Sequence, residues 1–462
     1  MPFKLPIDPD SITDFSGAKN AIEKLLSAYV SLQQENALLK TEIAALKGQP
    51  KKPQFSTPKQ EHFGVSDLLN KEDKKWHKAK KIGTLPIDTH IRLPEQETCS
   101  CGSSEFKTVR THARIVQGML FQRNNTAYHG RDKQCVRCGK VYKSITPEGI
   151  KGLSFDPNLT SLLSYFKYEC RMTHPLIQRM LSGFGVRISD GEISHILLQN
   201  SDSLNPTYQH LKEKGFSKSS YLQSDSTGAK RQEKQTGKMI NQYIQFVGNN
   251  CLSVFAITRH YNILTLKRLL TKKGRDKPFV SDDGSPNGDG LRCRCKQLCW
   301  VHEIRHYQKL FPFFNPHQQL KEQILSQWSS FYHLAKSYGR DPTYQKRQEI
   351  IRLFETITSQ VTGYDLLDQQ LKTTGKKKVR LLTFLDYPFL PIHNNRCEID
   401  LREFVIQRKI SGATKSVAGD RSLERHLSII QTCQKQGLDI FATLHGLLTG
   451  QLSPSILTVN IS

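Results

Sequence analysis

The sequence predicts a multidomain chain whose C-terminal part is a mixed α/β domain interrupted by a long helical insertion. Three observations predict it. Asp225, in YLQSDST, and Asp282, in KPFVSDDG, each end an apolar, β-branched or aromatic run, and Glu398, in HNNRCEIDLRE, sits where a helix begins. Around the first two acids the order reads three strands, a helix and a strand. Between the second and third acids, residues 299–374 are mostly helix-patterned and basic.

Length and composition bound the rest. A chain of 462 residues has room for two to four domains. Its 67 Lys and Arg outweigh 42 Asp and Glu, a formal charge of +25. Such a balance favours a polyanionic partner, because each phosphate neutralised releases condensed counterions. DNA is the partner expected, since the cations spread over many segments rather than along one amphipathic helix. A merely soluble basic protein and a membrane-surface binder are the alternatives. No apolar run reaches the ~18 residues a membrane helix needs, so no membrane partner is expected. The opening MPFKLPIDPD lacks the apolar core of a signal peptide. A cytoplasmic, nucleoid-associated location is expected. The 11 cysteines are an odd number, and in that compartment they point to metal or burial rather than disulfides.

Taken in order, residues 1–50 hold a coiled coil. Ile22, Leu25, Tyr29, Leu32, Asn36, Leu39, Ile43 and Leu46 alternate spacings of three and four, the a and d positions of a heptad. An a-position Asn such as Asn36 favours a parallel dimer in fixed register. A homodimer or higher assembly is therefore expected; the alternative is a helix packed on its own protein. Residues 51–92 form a basic linker, because the prolines of GQPKKPQFSTPKQ cannot continue a helix. A lysine-rich stretch around Trp76 follows within it.

Residues 93–147 carry Cys99, Cys101, Cys135 and Cys138. Cys135-Val-Arg-Cys138-Gly has the spacing of a zinc knuckle, whereas the Cys99–Cys101 pair is one residue tighter than usual. A zinc-ribbon-like unit with structural Zn²⁺ is expected, its strands read from THARIVQGMLFQ. Residues 148–218 are helical and resemble a helix-turn-helix DNA-binding segment, with Gly183 and Gly185 at the turn. Ser189 and Glu192 have capping-box spacing, and residues 188–199 are the candidate recognition helix.

Residues 219–298 open the α/β domain. YIQFVG and LSVFAIT flank Asn249-Asn250 as a hairpin should. A helix from Asn262 to about Thr271 and a strand at KPFV lead to Asp282. This order, with acids after the first and fourth strands, indicates a ribonuclease-H-like fold. Residues 299–374 are its helical insertion, 375–450 its second part, resuming near VRLLTFLDY, and 451–462 a tail. Two strands and a helix thus carry Asp225, Asp282 and Glu398 to one point. Hard cations such as Mg²⁺ take oxygen ligands and need few protein carboxylates. Two such ions, Mg²⁺ or Mn²⁺, suit in-line displacement at a phosphodiester. Asp283, adjacent to Asp282, is an alternative second ligand.

Two motifs carry a family resemblance: Cys299-Trp300-Val301-His302-Glu303-Ile304-Arg305, and Asn394-Asn395-Arg396-Cys397-Glu398 followed by Arg402. With them the chain resembles the DDE transposases of bacterial insertion sequences, specifically the insertion sequence 66 family. The resemblance implies a Mg²⁺-dependent enzyme that binds the ends of a mobile element. It would hydrolyse a phosphodiester there and join the freed 3′-hydroxyl to target DNA. Asp225, Asp282 and Glu398 would be the catalytic metal ligands, and accessory proteins of the same element are conceivable partners. The chain departs from the family pattern in three places. Ser226-Thr227 follow the first acid, Asp283 follows the second, and Arg408-Lys409 lead into ISGATKS. None removes a metal ligand. His302 and Arg305, three apart on one helical face, are candidates to touch DNA or position the third acid. Arg402, Arg408, Lys409 and Lys415 are further candidate DNA contacts. A catalytically inert, sequence-specific DNA-binding protein of transposon origin is the alternative reading, and a nuclease or resolvase of the same fold is a third.

Overall fold

The computed structural model describes residues 14–46, 87, 89–93, 97–108, 122–145, 154–233, 236–284 and 293–459. Residues 54–126 form one compact unit and the rest of the chain another.

Within residues 54–126, the described part that bears on function is a tight turn. The amide of Cys99 donates to Ser103 O and that of Gly102 to Cys99 O, with Gly102 at φ +89°. The segment 109–121, where the ribbon strands are expected, lies outside the described residues, as does the lysine-rich stretch around Trp76.

The larger unit begins with α1 (Phe15–Leu46). Its first turns pack on the chain's own helical insertion. Asn20 donates to Gly363 O at 3.2 Å, and Lys24 pairs with Asp365 at 2.6 Å. Glu23 is buried: its Oε1 accepts the amides of Phe313 and Phe314 and lies 2.7 Å from His317 Nδ1. Ile22, Leu25, Tyr29 and Leu32, the first four residues of the heptad stripe, are exposed. The side chains of Asn36, Leu39, Ile43 and Leu46 lie outside the described residues.

A two-residue hairpin, β1 (Lys133–Gln134) with β2 (Val141–Tyr142), presents Cys135 and Cys138 at its turn. Then come α2 (Pro157–Ser164), α3 (His174–Gly183), α4 (Asp190–Ser203) and α5 (Asn205–His210). Ser189 caps α4 by accepting the Glu192 amide at 3.1 Å, and Gly185 turns the chain at φ +77°. The expected recognition helix is thus present as α4, running to Ser203. Ile193, Ile196 and Leu197 are buried in the main core, and the helix carries no lysine or arginine.

Five strands form one mixed sheet: β3 (Leu222–Gln232), β4 (Met239–Gly248), β5 (Ser253–Thr258), β6 (Phe279–Ser281) and β7 (Lys296–Leu298), in the order β5-β4-β3-β6-β7. β3, β4 and β5 are antiparallel neighbours, while β6 and β7 run parallel to β3. The β4–β5 turn falls at Asn249, whose side chain accepts the Cys251 amide. Two expectations need correction. Asp225 does not end its strand: β3 continues to Gln232, because its polar second half pairs along β4. Three-residue β7 was not expected.

α6 (Ile263–Arg275), capped by Asn262, connects β5 to β6. The insertion contributes α7 (Trp300–Gln308), α8 (Asn315–Arg340), α9 (Tyr344–Thr358) and α10 (Asp365–Lys376). Trp300, Trp328, Phe331 and Phe354 meet in its core with ring centroids 4.4–6.2 Å apart. The chain returns through short helical turns at Lys378–Leu381 and Thr383–Leu385, not a strand, to α11 (Asn395–Ser411), α12 (Val417–Gln436) and α13 (Ile440–Leu448).

α12 covers the sheet's β5 edge. The outward amides of Ser253, Phe255 and Ile257 donate to Thr432, Ser428 and Glu424. Four helical residues rise ~6 Å and two strand residues ~6.7 Å, so side chains at every fourth helix position meet every second amide. An edge that would otherwise invite another strand is closed.

Candidate active site

The site begins with sheet register. Leu222 pairs with Phe279 and Gln223 with Val280 across the parallel β3–β6 pair. Two residues further on, at the same parity, stand Asp225 and Asp282. Asp225 thus lies within β3 beside the position that Asp282 takes just past the end of β6. Asp225 is half-buried, and its Oδ1 accepts the Ser226 amide at 2.7 Å. Burial first, and then the carboxylates of Asp282 and Glu398, push Asp225 up to about 7, against the Ser226 amide and Arg305. Facing like charges raise a carboxyl in this way.

Glu398 is delivered by the start of α11. Buried Asn394 precedes that helix and donates to Ser224 O at 3.0 Å, while its own amide reaches Cys299 Sγ at 3.2 Å. Gln223 donates to His393 O at 3.1 Å, and the Trp300 amide donates to Ile392 O at 2.9 Å. The Asn394 motif therefore stitches the third acid to the strand of the first acid and to α7. Buried Cys299 is part of that stitch, its thiol pushed up to about 11 chiefly by burial.

α7 is the insertion's contribution. Trp300 is fully buried and donates its indole N–H to Leu381 O at 2.9 Å, which fixes the helix rotation. His302, Arg305 and His306, three and four residues apart, then face the acids. Arg305 grips Glu398 with both terminal nitrogens, at 2.9 and 3.4 Å. His302 Nε2 lies 3.8 Å from Glu398 Oε1. Burial, then Arg305, lower the His302 pKa against Asp282, Glu398 and Asp283.

Asp283 is occupied differently. Its Oδ2 lies 2.6 Å from Lys377 Nζ and 3.4 Å from His306 Nε2. The His306 hydrogen bond, then Lys377, outweigh burial and hold its carboxyl well below the usual range. Among the described residues, Asp283, Glu303 and His306 are the group whose ligand atoms all lie within 4.8 Å of one another. Lys377 already puts an ammonium there, 2.9 Å from Glu303. The triad of Asp225, Asp282 and Glu398 is looser, and it offers oxygen donors only. Facing carboxylates of this kind fit a hard divalent cation.

The other sequence candidates separate. Arg408 donates to Gly228 O and stacks over Phe404, tying α11 to β3. Arg402, Lys409 and Lys415 are exposed. Asp400 is buried against Lys435 at 2.7 Å, with Arg396 at 3.9 Å. In the Cys99–Cys101 turn, hydrogen bonding within the pair lowers the Cys99 pKa, and Cys138 and Arg137 lower that of Cys135. Sequence reading missed Lys377 and the contacts that Glu303 and His306 make beside it. The one signal for them was the placement of Glu303 and His306 on the helix of the Cys-Trp-Val-His motif.

With this geometry in view, the comparisons decide the family. Residues 152–422, more than half of the chain, match the model of the transposase IS66 family. The chain belongs to that family. The matched span includes α3 and α4, the sheet, the insertion and the start of α12. The chain is also 36% identical over 166 residues to the uncharacterized protein y4jO of Sinorhizobium fredii, a stretch covering 36% of this chain and 50% of that protein. The chain thus spans about half the length of the curated relative it matches. Among the described residues, no helix is long and apolar enough to cross a membrane.

Proposed function

We propose that this chain is an active transposase whose ribonuclease-H-like domain cuts and joins DNA at the ends of a mobile element. The observation that carries the reading is the convergence of Asp225 and Asp282 from parallel strands with Glu398 from α11, felt as the raised pKa of Asp225. These three are the metal ligands and catalytic residues. Asp282 is preferred over Asp283 because Asp283 is committed to Lys377 and His306.

Divalent cations on these oxygens, Mg²⁺ or Mn²⁺, supply charge stabilisation at phosphorus and acidify the attacking hydroxyl. The protein orients the DNA and the acids. Arg305 and His302 position Glu398 from the insertion, while exposed Arg402, Lys409 and Lys415 meet phosphates. Water attacks the phosphorus at the element end, the bond to the 3′-oxygen breaks, and that oxygen leaves as a hydroxyl. The hydroxyl then attacks a target phosphodiester, and a target 3′-oxygen leaves. The exposed stripe of α1 is proposed as the contact between copies.

The test is incubation of the full chain with labelled DNA carrying both ends of its flanking element, with Mg²⁺ or with EDTA. Mg²⁺-dependent nicks followed by joined products are expected. Asp225→Asn, Asp282→Asn and Glu398→Gln should each reduce cleavage below detection while end binding persists. Binding without cleavage by the wild-type chain would favour the inert DNA-binding reading.

A further inference from the structure

The insertion supplies Arg305 to the third acid, and just past the insertion Lys377 meets Asp283, the neighbour of the second. Lys377 follows α10, where the insertion turns back toward the sheet. Its ammonium lies 2.6 Å from Asp283 Oδ2 and 2.9 Å from Glu303 Oε2. Glu303 on α7 is 3% exposed and also accepts hydrogen bonds from Thr374 at 2.5 Å and Gln370 at 3.2 Å, both on α10. Thr374 in turn meets the buried Tyr307 hydroxyl at 2.6 Å. His306 approaches Asp283 from the same helix at 3.4 Å. The contacts of Asp283 join the end of β6 to α7 and to the end of α10, and the others lock those two helices together. Asp283 is the residue after Asp282, so the cluster grips the turn that aims the second acid.

We infer that Lys377 is a positioning residue: by bridging Asp283 to Glu303 it clamps the turn carrying Asp282 and keeps Asp283 from competing for the metal. The inference rests on the assignment of Asp282 as a metal ligand. Three features favour a clamp over a solvated pair. Glu303 is buried, Lys377 is only 20% exposed, and the contacts come from two helices at once. A buried carboxylate holds an ammonium in place because losing it would strand a charge in a low-dielectric interior.

The test titrates the full-length protein with Mn²⁺ in a calorimeter and measures binding of element-end DNA alongside. Lys377→Met and Asp283→Asn should each weaken Mn²⁺ binding about 10- to 100-fold, the usual effect of removing a group that orients a ligand. Lys377→Arg should recover most of the loss, and DNA affinity should stay near wild type. Asp283→Asn leaves the Lys377–Glu303 pair intact, so it reports even where Lys377→Met fails to fold. Wild-type Mn²⁺ affinity in Asp283→Asn would overturn the clamp. An extra bound Mn²⁺ in Lys377→Met would overturn it too, since Asp283, Glu303 and His306 would then be ligands that Lys377 blocks. Asp282→Asn separates the two readings. If it binds Mn²⁺ like wild type, the metal assignment fails; if it loses binding while the Lys377 and Asp283 variants keep it, only the clamp fails.

Discussion

Two acids stand two residues apart on α11 and meet opposite fates. Glu398 pairs with Arg305 where both side chains keep about a third of their surface or more, 31% and 40%. Asp400 pairs with Lys435 where neither keeps more than 1%. Lys435 also donates to Asn249 O and Leu252 O and lies over the Phe246 ring. Each is a carboxylate of one helix facing a cation, and what sets them apart is the water. On the wet side a cation can be exchanged for another, as a metal site requires. On the dry side the partner is built in, because an unpaired buried charge is costly. One helix thus anchors itself behind the sheet and offers an exchangeable carboxylate in front.

The comparison breaks most readily at Lys435. Lys435→Met should destabilise the protein by about 3–5 kcal/mol, read from the urea midpoint, because buried Asp400 loses its close partner and keeps only Arg396 at 3.9 Å. A change within the ordinary surface range would mean water reaches Asp400.

His426, on the same helix as Lys435, sharpens the dry side. It stacks on Tyr168 at 4.1 Å, sits 2.7 Å from Ser422 O and 3.1 Å from Ser164 Oγ, and is pushed down to about 4, chiefly by burial. In the unfolded chain it takes a proton near 6.5, so between pH 6.5 and 4 the unfolded state binds a proton the folded state refuses. Stability should therefore fall as pH drops through that window, by on the order of 3 kcal/mol at its foot. Urea midpoints at pH 7 and 4.5 should show that fall shrinking in His426→Asn; an unchanged slope would place the titration elsewhere.

The smallest effect is expected at Arg305. Arg305→Ala should change stability by less than about 1 kcal/mol, since the pair is part-exposed and water replaces it. A loss as large as that of Lys435→Met would make the two pairs equivalent and erase the contrast.

What the sequence revealed follows local physics. The β4–β5 turn at Asn249, the Ser189 and Asn262 caps and the β6 approach to Asp282 are each written within a few residues. The strand through Asp225 was under-read because STGAKRQ is polar and becomes a strand only by pairing with β4. β7 is three residues long, too short to carry a period, and exists through its parallel partner β6. The Lys377 contacts span 94 and 74 residues, to Asp283 and Glu303, and no local pattern encodes them. Asp282 and Glu398 were legible because a strand end and a helix start announce themselves; Arg305 comes from the insertion, whose docking only the fold reveals. The Ser428 and Thr432 hydroxyls that close the β5 edge look, in sequence, like ordinary helix polar residues.

The buried seat of Glu23 has a consequence for synthesis. The amides it accepts belong to Phe313 and Phe314, 290 and 291 residues later in the chain. At ~5–20 residues per second, the ribosome needs roughly 15–60 s to deliver them. For that interval the docking face of α1 is unclaimed. A neighbouring nascent chain on the same message carries the same apolar stripe, so copies have time to meet before either has closed on itself.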